Sequence, residues 1–331
     1  MNEEKFKDLR IVFMGTPEFA VASLDALVKA GCNIVGVITA PDKPGGRGMQ
    51  LQQSAVKKYA VENNLNFLQP EKLKNPEFLE QLKLLKADVQ IVVAFRMLPE
   101  IVWNMPHMGT INLHGSLLPQ YRGAAPINWA VINGEEETGV TTFKLQHQID
   151  TGDILLQQSF AIGENETAVE VHDTMKEMGA QLLVKTIKGL AEGTLKETPQ
   201  LSMVNSQWSI EKPEASGSHS PLTSHHSPKH APKIFTETCK IDFTKTVEEV
   251  HNLIRGLSPF PGAFTMLNGK MLKIYKAMRQ EGLKPSDVLY ETDGKTFLKF
   301  ACANGYIDVK ELQLEGKKKM TVEEFLRGYR F

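Results

Sequence analysis

Cysteine is scarce in this 331-residue chain, where Cys32, Cys239 and Cys302 are odd in number, far apart and set at no zinc-binding spacing. A disulfide framework is excluded, and the thiols read as the reduced cysteines of a cytosolic protein. No apolar run approaches the ~18 residues that a membrane span needs. The opening MNEEKFKDLR is charged with mixed sign, unlike a secretion signal. An excess of one charge is missing too, since 38 Lys and Arg stand against 39 Asp and Glu. Nothing in that overall balance demands nucleic acid or a membrane.

Several chemical signatures are also missing. RIVFMGTPEFA carries Gly15 alone where a dinucleotide fingerprint needs three glycines, and Pro17 and Glu18 follow it closely. The chain has no Walker A stretch, no HExxH and no GxSxG. Nucleoside-triphosphate, zinc-protease and hydrolase-elbow chemistry therefore fall away.

What is there alternates. RIVFMG predicts a short strand, PEFAVASLDALVKAG a helix started by Pro17 and stopped by Gly31, and NIVGVIT a second strand. Helical SAVKKYAVENN, short NFLQP and helical NPEFLEQLKLLK lead to ADVQIVVAF, a continuous apolar run suited to a strand buried on both faces. GTINLH follows as another strand. Strands alternating with helices predict an α/β domain with a doubly wound, mostly parallel sheet. The segment APDKPGGRGMQLQQ (40–53) breaks this rhythm, and it reads either as a solvated connection or as a binding loop around Arg47.

Beyond a long helix (166–193) the texture changes. EKPEASGSHSPLTSHHSPKHAP (211–232) is rich in Ser, Pro and His and has no apolar period, so it reads as a linker. His219, His225, His226 and His230 lack a companion Cys or carboxylate, and no metal site is expected from them. Helical KTVEEVHNLIRGL then precedes GAFTML, KMLKIYKAM, KTFLKFAC and YIDVKELQL, short strands that predict a small β-barrel of OB-like type. The expected organisation is a catalytic domain over 1–205, a linker over 206–232 and a β domain over 233–331. From Ala231 onward 17 Lys and Arg face 13 Asp and Glu, which leaves 21 against 26 before it. A basic appendage that meets a polyanion suits that asymmetry.

The chemistry concentrates in INLHGSLLPQYRGAAPINWA (111–130). Asn112 and His114 lie two apart on a strand and so point the same way, near the carboxyl end where open α/β sheets build their sites. IDTGDIL adds Asp150 and Asp153 between strand-like GVTTFKL and ILLQQSF. An Asp in such a turn either bonds its own backbone or reaches the His114 ring. Amide, imidazole and carboxylate together supply what acyl transfer between two amines requires. The amide donates to an oxyanion, and the other two move protons, with no serine or cysteine nucleophile.

NLHGSLLPQYRGAAP with DTGDIL resembles the folate-dependent formyltransferase superfamily. FMGTPEFA, PDKPGGRG and the carboxyl-terminal β domain resemble, within it, the enzymes that formylate methionyl-tRNA. The resemblance spans nearly the whole chain. It implies a Rossmann-like formyltransferase domain that moves a formyl group from 10-formyltetrahydrofolate to the amino group of methionyl-initiator tRNA. It implies Asn112, His114 and Asp150 as the catalytic set. Ser116, Leu117, Leu118 and Pro119 would wall the folate, while Ala94, Phe95, Met97 and Leu98 would offer a backbone edge to the pterin. Gly15, Thr16, Lys43 and Arg47 would meet the tRNA and its methionyl end. No metal and no membrane are expected, and the protein is expected to be a cytoplasmic monomer. The Phe95-Arg96-Met97 stretch departs from the slightly longer, glycine-bearing stretch frequent in the family, and the linker is longer than usual. Within the family a sugar nucleotide or small amine is the alternative acceptor; outside it, the alternative is a non-catalytic RNA-binding relative.

Arg47 lies among Gly45, Gly46 and Gly48, where a guanidinium could fork onto phosphate or stack on a base as lysine could not. Arg47→Ala should therefore strongly impair formylation of methionyl-tRNA while 10-formyltetrahydrofolate binds as before, with Arg47→Lys recovering part of the loss. Steady-state kinetics with tRNA beside a folate titration checks this, and full activity in Arg47→Ala returns the loop to a linker.

Overall fold

Residues 4–45, 50–200, 228–282 and 288–330 are described by the computed structural model. They form two packing units, one drawn from the described residues within 1–122, 139–159 and 174–230 and one from those within 123–138, 160–173 and 231–331. The units interleave along the chain, whereas the boundaries expected from the sequence cut it once, around the linker.

The chain opens with β1 (Arg10–Gly15), α1 (Glu18–Lys29), β2 (Asn33–Ile38), β3 (Lys43–Gly45), β4 (Gln50–Gln52), α2 (Ala55–Glu62), β5 (Phe67–Leu68) and α3 (Pro76–Leu84). It continues with β6 (Val89–Val93), α4 (Glu100–Trp103), β7 (Thr110–His114), β8 (Arg122–Gly123), α5 (Pro126–Ile132), β9 (Glu137–Lys144), β10 (Ile154–Ala161) and α6 (Ala168–Glu192). Local chemistry sets these bounds. Ser54 caps α2 by accepting from the Lys57 N–H at 3.0 Å, and Asn75 caps α3 by accepting from that of Glu77 at 2.9 Å. Gly31, at φ +79°, ends the first helical segment.

Seven strands form one sheet in the order β10-β9-β7-β6-β1-β2-β5. The pairs from β5 through β7 are parallel, and β9 runs antiparallel to β7. The sheet is thus mostly parallel, as the sequence predicts. β6 is buried along its whole length, Gln90 included, as suits its largely apolar sequence. The chain winds outward from β1 to β2 and β5, then resumes on the other side at β6 and β7. That reversal places the switch point between β1 and β6, where such sheets leave a crevice beyond their carboxyl ends.

Three local features were missed by the sequence pattern. The stretch 40–53, left open between connection and loop, has short antiparallel arms that pair Lys43 with Gln52 and Pro44 with Leu51. Pro126 starts α5, a helix that the sequence pattern does not mark. The last linker residues form β11 (His230–Ala231), which pairs with β8. Residues 228–232 are therefore placed, while Arg47, His219, His225 and His226 lie outside the described residues.

The second unit continues with α7 (Val247–Gly256), β12 (Ala263–Leu267), β13 (Lys270–Glu281), β14 (Tyr290–Thr292), β15 (Leu298–Cys302), β16 (Gly305–Leu314), β17 (Met320–Thr321) and α8 (Val322–Gly328). Its sheet, in the order β12-β13-β16-β15-β14 with β17 beside β16, is antiparallel and curls into an OB-like half-barrel. A capping box between Thr246 and Glu249 starts α7, whose Val250 and Ile254 join Leu272, Ile274, Phe300 and Ile307 in the core. Phe243 stacks on the fully buried Phe300 ring at 4.7 Å. Phe300→Ala should cost about 3–5 kcal/mol through lost burial and the cavity left behind. Urea unfolding followed by circular dichroism measures it, and a cost below about 1 kcal/mol would remove Phe300 from the residues that hold this unit together.

Candidate active site

Strand alternation brings Asn112 and His114 to one face of β7, with Asn112 opposite Phe143 and His114 opposite Thr141 across the antiparallel pair. The His114 residue is 7% exposed, and its ring meets the Phe143 edge at 6.4 Å. Its Nε2 lies 2.9 Å from the Tyr121 carbonyl oxygen. A carbonyl only accepts, so Nε2 carries a proton and donates it there. Nδ1 then faces Asp150 Oδ2 across 3.8 Å. That gap is too long for a direct hydrogen bond and suits a proton arriving from a third group.

Asp150 reaches this position by a return path. Because β9 is antiparallel, its end at Lys144 lies beside Ile111, and residues 145–153 must come back toward His114. Gly152 makes this possible: a Cβ there would stand 1.6 Å from the Lys144 carbonyl oxygen. Asp150 itself adopts a left-handed backbone at φ +53°. Its carbonyl and that of Gly152 accept from Gln200 Nε2 at 3.0 and 2.8 Å. The Gln200 Oε1 accepts from Arg122 Nε and Nη2 at 3.0 and 2.5 Å. Burial pushes the Arg122 guanidinium below its usual range, while the nearby Asp150 carboxylate acts the other way.

Left-handed backbone recurs at this site. Ala94, where the chain leaves β6, has φ +46°, and Tyr121 has φ +58°. With Asp150 they make three of the six such non-glycine residues described. Each costs roughly 1–3 kcal/mol and persists only where its surroundings over-determine it. For Tyr121 those surroundings are visible: its N–H donates to the Lys229 carbonyl at 2.7 Å, and the Lys229 N–H donates to Gln120 Oε1 at 2.8 Å.

The segment after β7 supports the site from behind. Of the four residues expected to wall the folate, Ser116, Leu118 and Pro119 are buried and Leu117 is half-buried. The Ser116 hydroxyl donates to the Gln120 carbonyl at 2.6 Å. Thr141 Oγ1 donates to the Ser116 carbonyl at 2.6 Å and accepts from the Leu118 N–H at 3.1 Å and from Gln157 Nε2 at 2.8 Å. Gly15 is also buried, and a Cβ there would come 2.6 Å from the Ala20 Cβ, so α1 packs closely on β1 at this position. Thr16 is half-buried and Lys43 exposed, both following strands whose carboxyl ends share one edge.

The model of the formyl transferase family matches residues 9–187, and that of its carboxyl-terminal domain matches 233–330. The chain belongs to the formyl transferase family. The methionyl-tRNA formyltransferase of Bacteroides fragilis is 49% identical over 333 residues, which span 98% of this chain and 96% of that protein. The methionyl-tRNA formyltransferase of Phocaeicola vulgatus is 51% identical over 333 residues, spanning 98% and 97%. In fold, the chain is similar to an N-formyltransferase from Helicobacter canadensis solved with folinic acid and dTDP-3-aminofucose, at TM-score 0.64 and 21% identity over 94% of this chain and all (100%) of that one.

This formyltransferase uses 10-formyltetrahydrofolate, and the residues near the switch point suit such a ligand. Ala94 turns the backbone out of the ladder, Phe95 and Leu98 are half-buried, and Met97 is 75% exposed. A flat heteroaromatic ring would cover that apolar edge and meet its peptide groups. Arg96 anchors the segment by donating to the carbonyls of Pro70 and Glu71. Among the described residues no cluster of His, Cys, Asp and Glu is arranged to hold a metal.

Sequence reasoning brought Asn112, His114 and Asp150 together but missed Tyr121, Arg122, Thr141, Gln157 and Gln200. Thr141 passes for an ordinary β-branched strand residue, and Gln200 sits at the edge of the low-complexity stretch. Thr141→Val keeps the shape and removes the hydroxyl that joins the buried Ser116 carbonyl, the buried Leu118 N–H and the half-buried Gln157 amide. It should cost about 1–3 kcal/mol of stability and weaken folate affinity. Melting and a folate titration check this, and unchanged values in both would remove Thr141 from the support.

Proposed function

We propose that the chain transfers the formyl group of 10-formyltetrahydrofolate to the free amino group of methionyl-initiator tRNA, for translation initiation. The carrying observation is the convergence of Asn112, His114 and Asp150 beside the switch point, with 3.8 Å between His114 Nδ1 and Asp150 Oδ2. Choice of acceptor rests on relatives of that name, 49% and 51% identical over 98% of the chain. The basic bias after Ala231 supports the same choice, since a tRNA is a polyanion.

The folate, when bound, supplies a formyl carbon held on nitrogen. Asn112 donates an amide N–H to the formyl oxygen as negative charge grows on it. Tyr121 holds the Nε2 proton of His114, so Nδ1 is the nitrogen left to exchange protons. Asp150 draws the ammonium proton of the methionyl group toward this pair, leaving a neutral amine to attack. His114, charged beside Asp150, returns a proton to the nitrogen that departs. The balance closes: one C–N bond forms and one breaks, and of the two protons that the methionyl ammonium gives up, one goes to the departing nitrogen and the other to solvent.

In this reading residues 1–205 do the chemistry and 233–331 hold the tRNA, with Lys43 and Arg47 reaching its acceptor end. The protein works in the cytoplasm as a monomer. Mass spectrometry of methionyl-tRNA after incubation with the enzyme and 10-formyltetrahydrofolate tests the whole reading through the mass of one formyl group. Asn112→Ala should lower kcat by about 10²–10³-fold with little change in KM, since its donor acts on developing charge. A variant that retains parental kcat would remove the oxyanion role.

A further inference from the structure

The His114 and Asp150 side chains come from different parts of the chain, and each is held by its own segment. Residues 120–122 hold His114 through the Tyr121 carbonyl, and residues 150–152 carry Asp150. The buried Gln200 side chain bonds to both segments. Gln200 is 2% exposed, and its amide accepts from Arg122 while donating to the carbonyls of Asp150 and Gly152. Its place is fixed just upstream, where Thr198 and Ile154 exchange backbone hydrogen bonds at 2.9 Å in both directions.

We propose that Gln200 is a positioning residue for formyl transfer, one whose amide clamps the Asp150 turn to the Arg122 loop and thereby sets the His114–Asp150 separation. This rests on the catalytic reading of Asp150 given above.

The chemistry of the contacts leaves no freedom in the amide. A guanidinium only donates and carbonyls only accept, so Oε1 must face Arg122 and Nε2 must face the turn. All four hydrogen-bonding positions of the amide are then filled. Glutamate, nearly the same size, could still take the guanidinium but would set an oxygen against two carbonyl oxygens. Those two bonds brace a turn in which Asp150 is left-handed at φ +53°, a conformation that a non-glycine residue holds only when its neighbours compel it. Arg122 follows Tyr121 directly, so tension on one side of the clamp is felt on the other. A relaxed turn would keep both catalytic side chains and lose their spacing.

The test uses the full-length protein carrying Gln200→Glu, with the same change made in an Asp150→Asn background. Formylation kinetics with methionyl-tRNA, titration with 5-formyltetrahydrofolate and thermal melting are read on each. Expected is a fall in kcat of on the order of 10–100-fold, as displacement of reacting groups by about 1 Å produces. KM for tRNA and affinity for 5-formyltetrahydrofolate should stay within about 2-fold, and melting should hold because Glu can pair with Arg122. In the Asp150→Asn background the second change should lower kcat by less than about 2-fold, since the group it positions is already gone. Unchanged kcat in Gln200→Glu overturns the proposal. So does an equal loss in both backgrounds, or a loss matched by weaker folate binding, since a merely structural glutamine would give either. Should Gln200→Glu fail to fold, Arg122→Lys gives the same reading: it keeps the charge but not the fork, and a full kcat overturns the clamp. Parental turnover in Asp150→Asn alone would instead overturn the role of Asp150, and with it the clamp.

Discussion

The hydrogen bond from His114 Nε2 to the Tyr121 carbonyl is the constraint on which the rest of the site depends. It decides which ring nitrogen is left facing Asp150 and which way the ring faces. Without it the imidazole could present either nitrogen, and Asp150 would face a donor or an acceptor by chance. The sheet brings His114 to the site, but the fold must also deliver a carbonyl to its other side. It does so with a bulky residue in a left-handed conformation, which an isolated peptide of this sequence would avoid. Gln120, Ser116 and Lys229 are needed to hold that loop.

Much of this was legible in the residues. Alternation along TINLH placed Asn112 and His114 together, and the IDTGDIL turn singled out Asp150. The apolar run of β6 and the capped helices beside it implied a parallel sheet, and the short alternating strands after 260 implied the second sheet. What escaped depends on long-range pairing. Gln200 is an unremarkable polar residue until Arg122 and the Asp150 turn close on it, and no local period announces either partner. β8 and β11 are two residues each, too short for any pattern, and exist because the chain returns to the same place. The burial of Ser116 was hidden for a related reason, since its hydroxyl is taken up by a carbonyl four residues on.

The antiparallel placement of β9 has its own logic. A parallel strand at that position would send its following loop off the edge where His114 ends. β9 instead ends beside Ile111, so the loop after it has to travel back, and a glycine at 152 lets it pass close to the Lys144 carbonyl. The return lets a carboxylate approach His114 from a segment that β7 does not itself carry. Hydrogen bonds from Thr141 and Gln157, on β9 and β10, meanwhile brace the Ser116–Leu118 backbone. One pair of strands thus serves both flanks of the imidazole.

The Lys229 contact also bears on when the site is complete during synthesis. Gln120 accepts from a backbone N–H 109 positions downstream, and the Tyr121 N–H waits for the carbonyl of the same residue. A ribosome emits the chain from its amino end, so the sheet, its helices and the Asp150 turn all emerge first. The loop that orients His114 must then remain unfastened until the far side of the Ser- and Pro-rich stretch has left the exit tunnel. A nascent chain released early could carry a formed sheet and Asn112, His114 and Asp150, yet lack the strap that sets the ring. Maturation of this site is coupled to elongation well past its own residues.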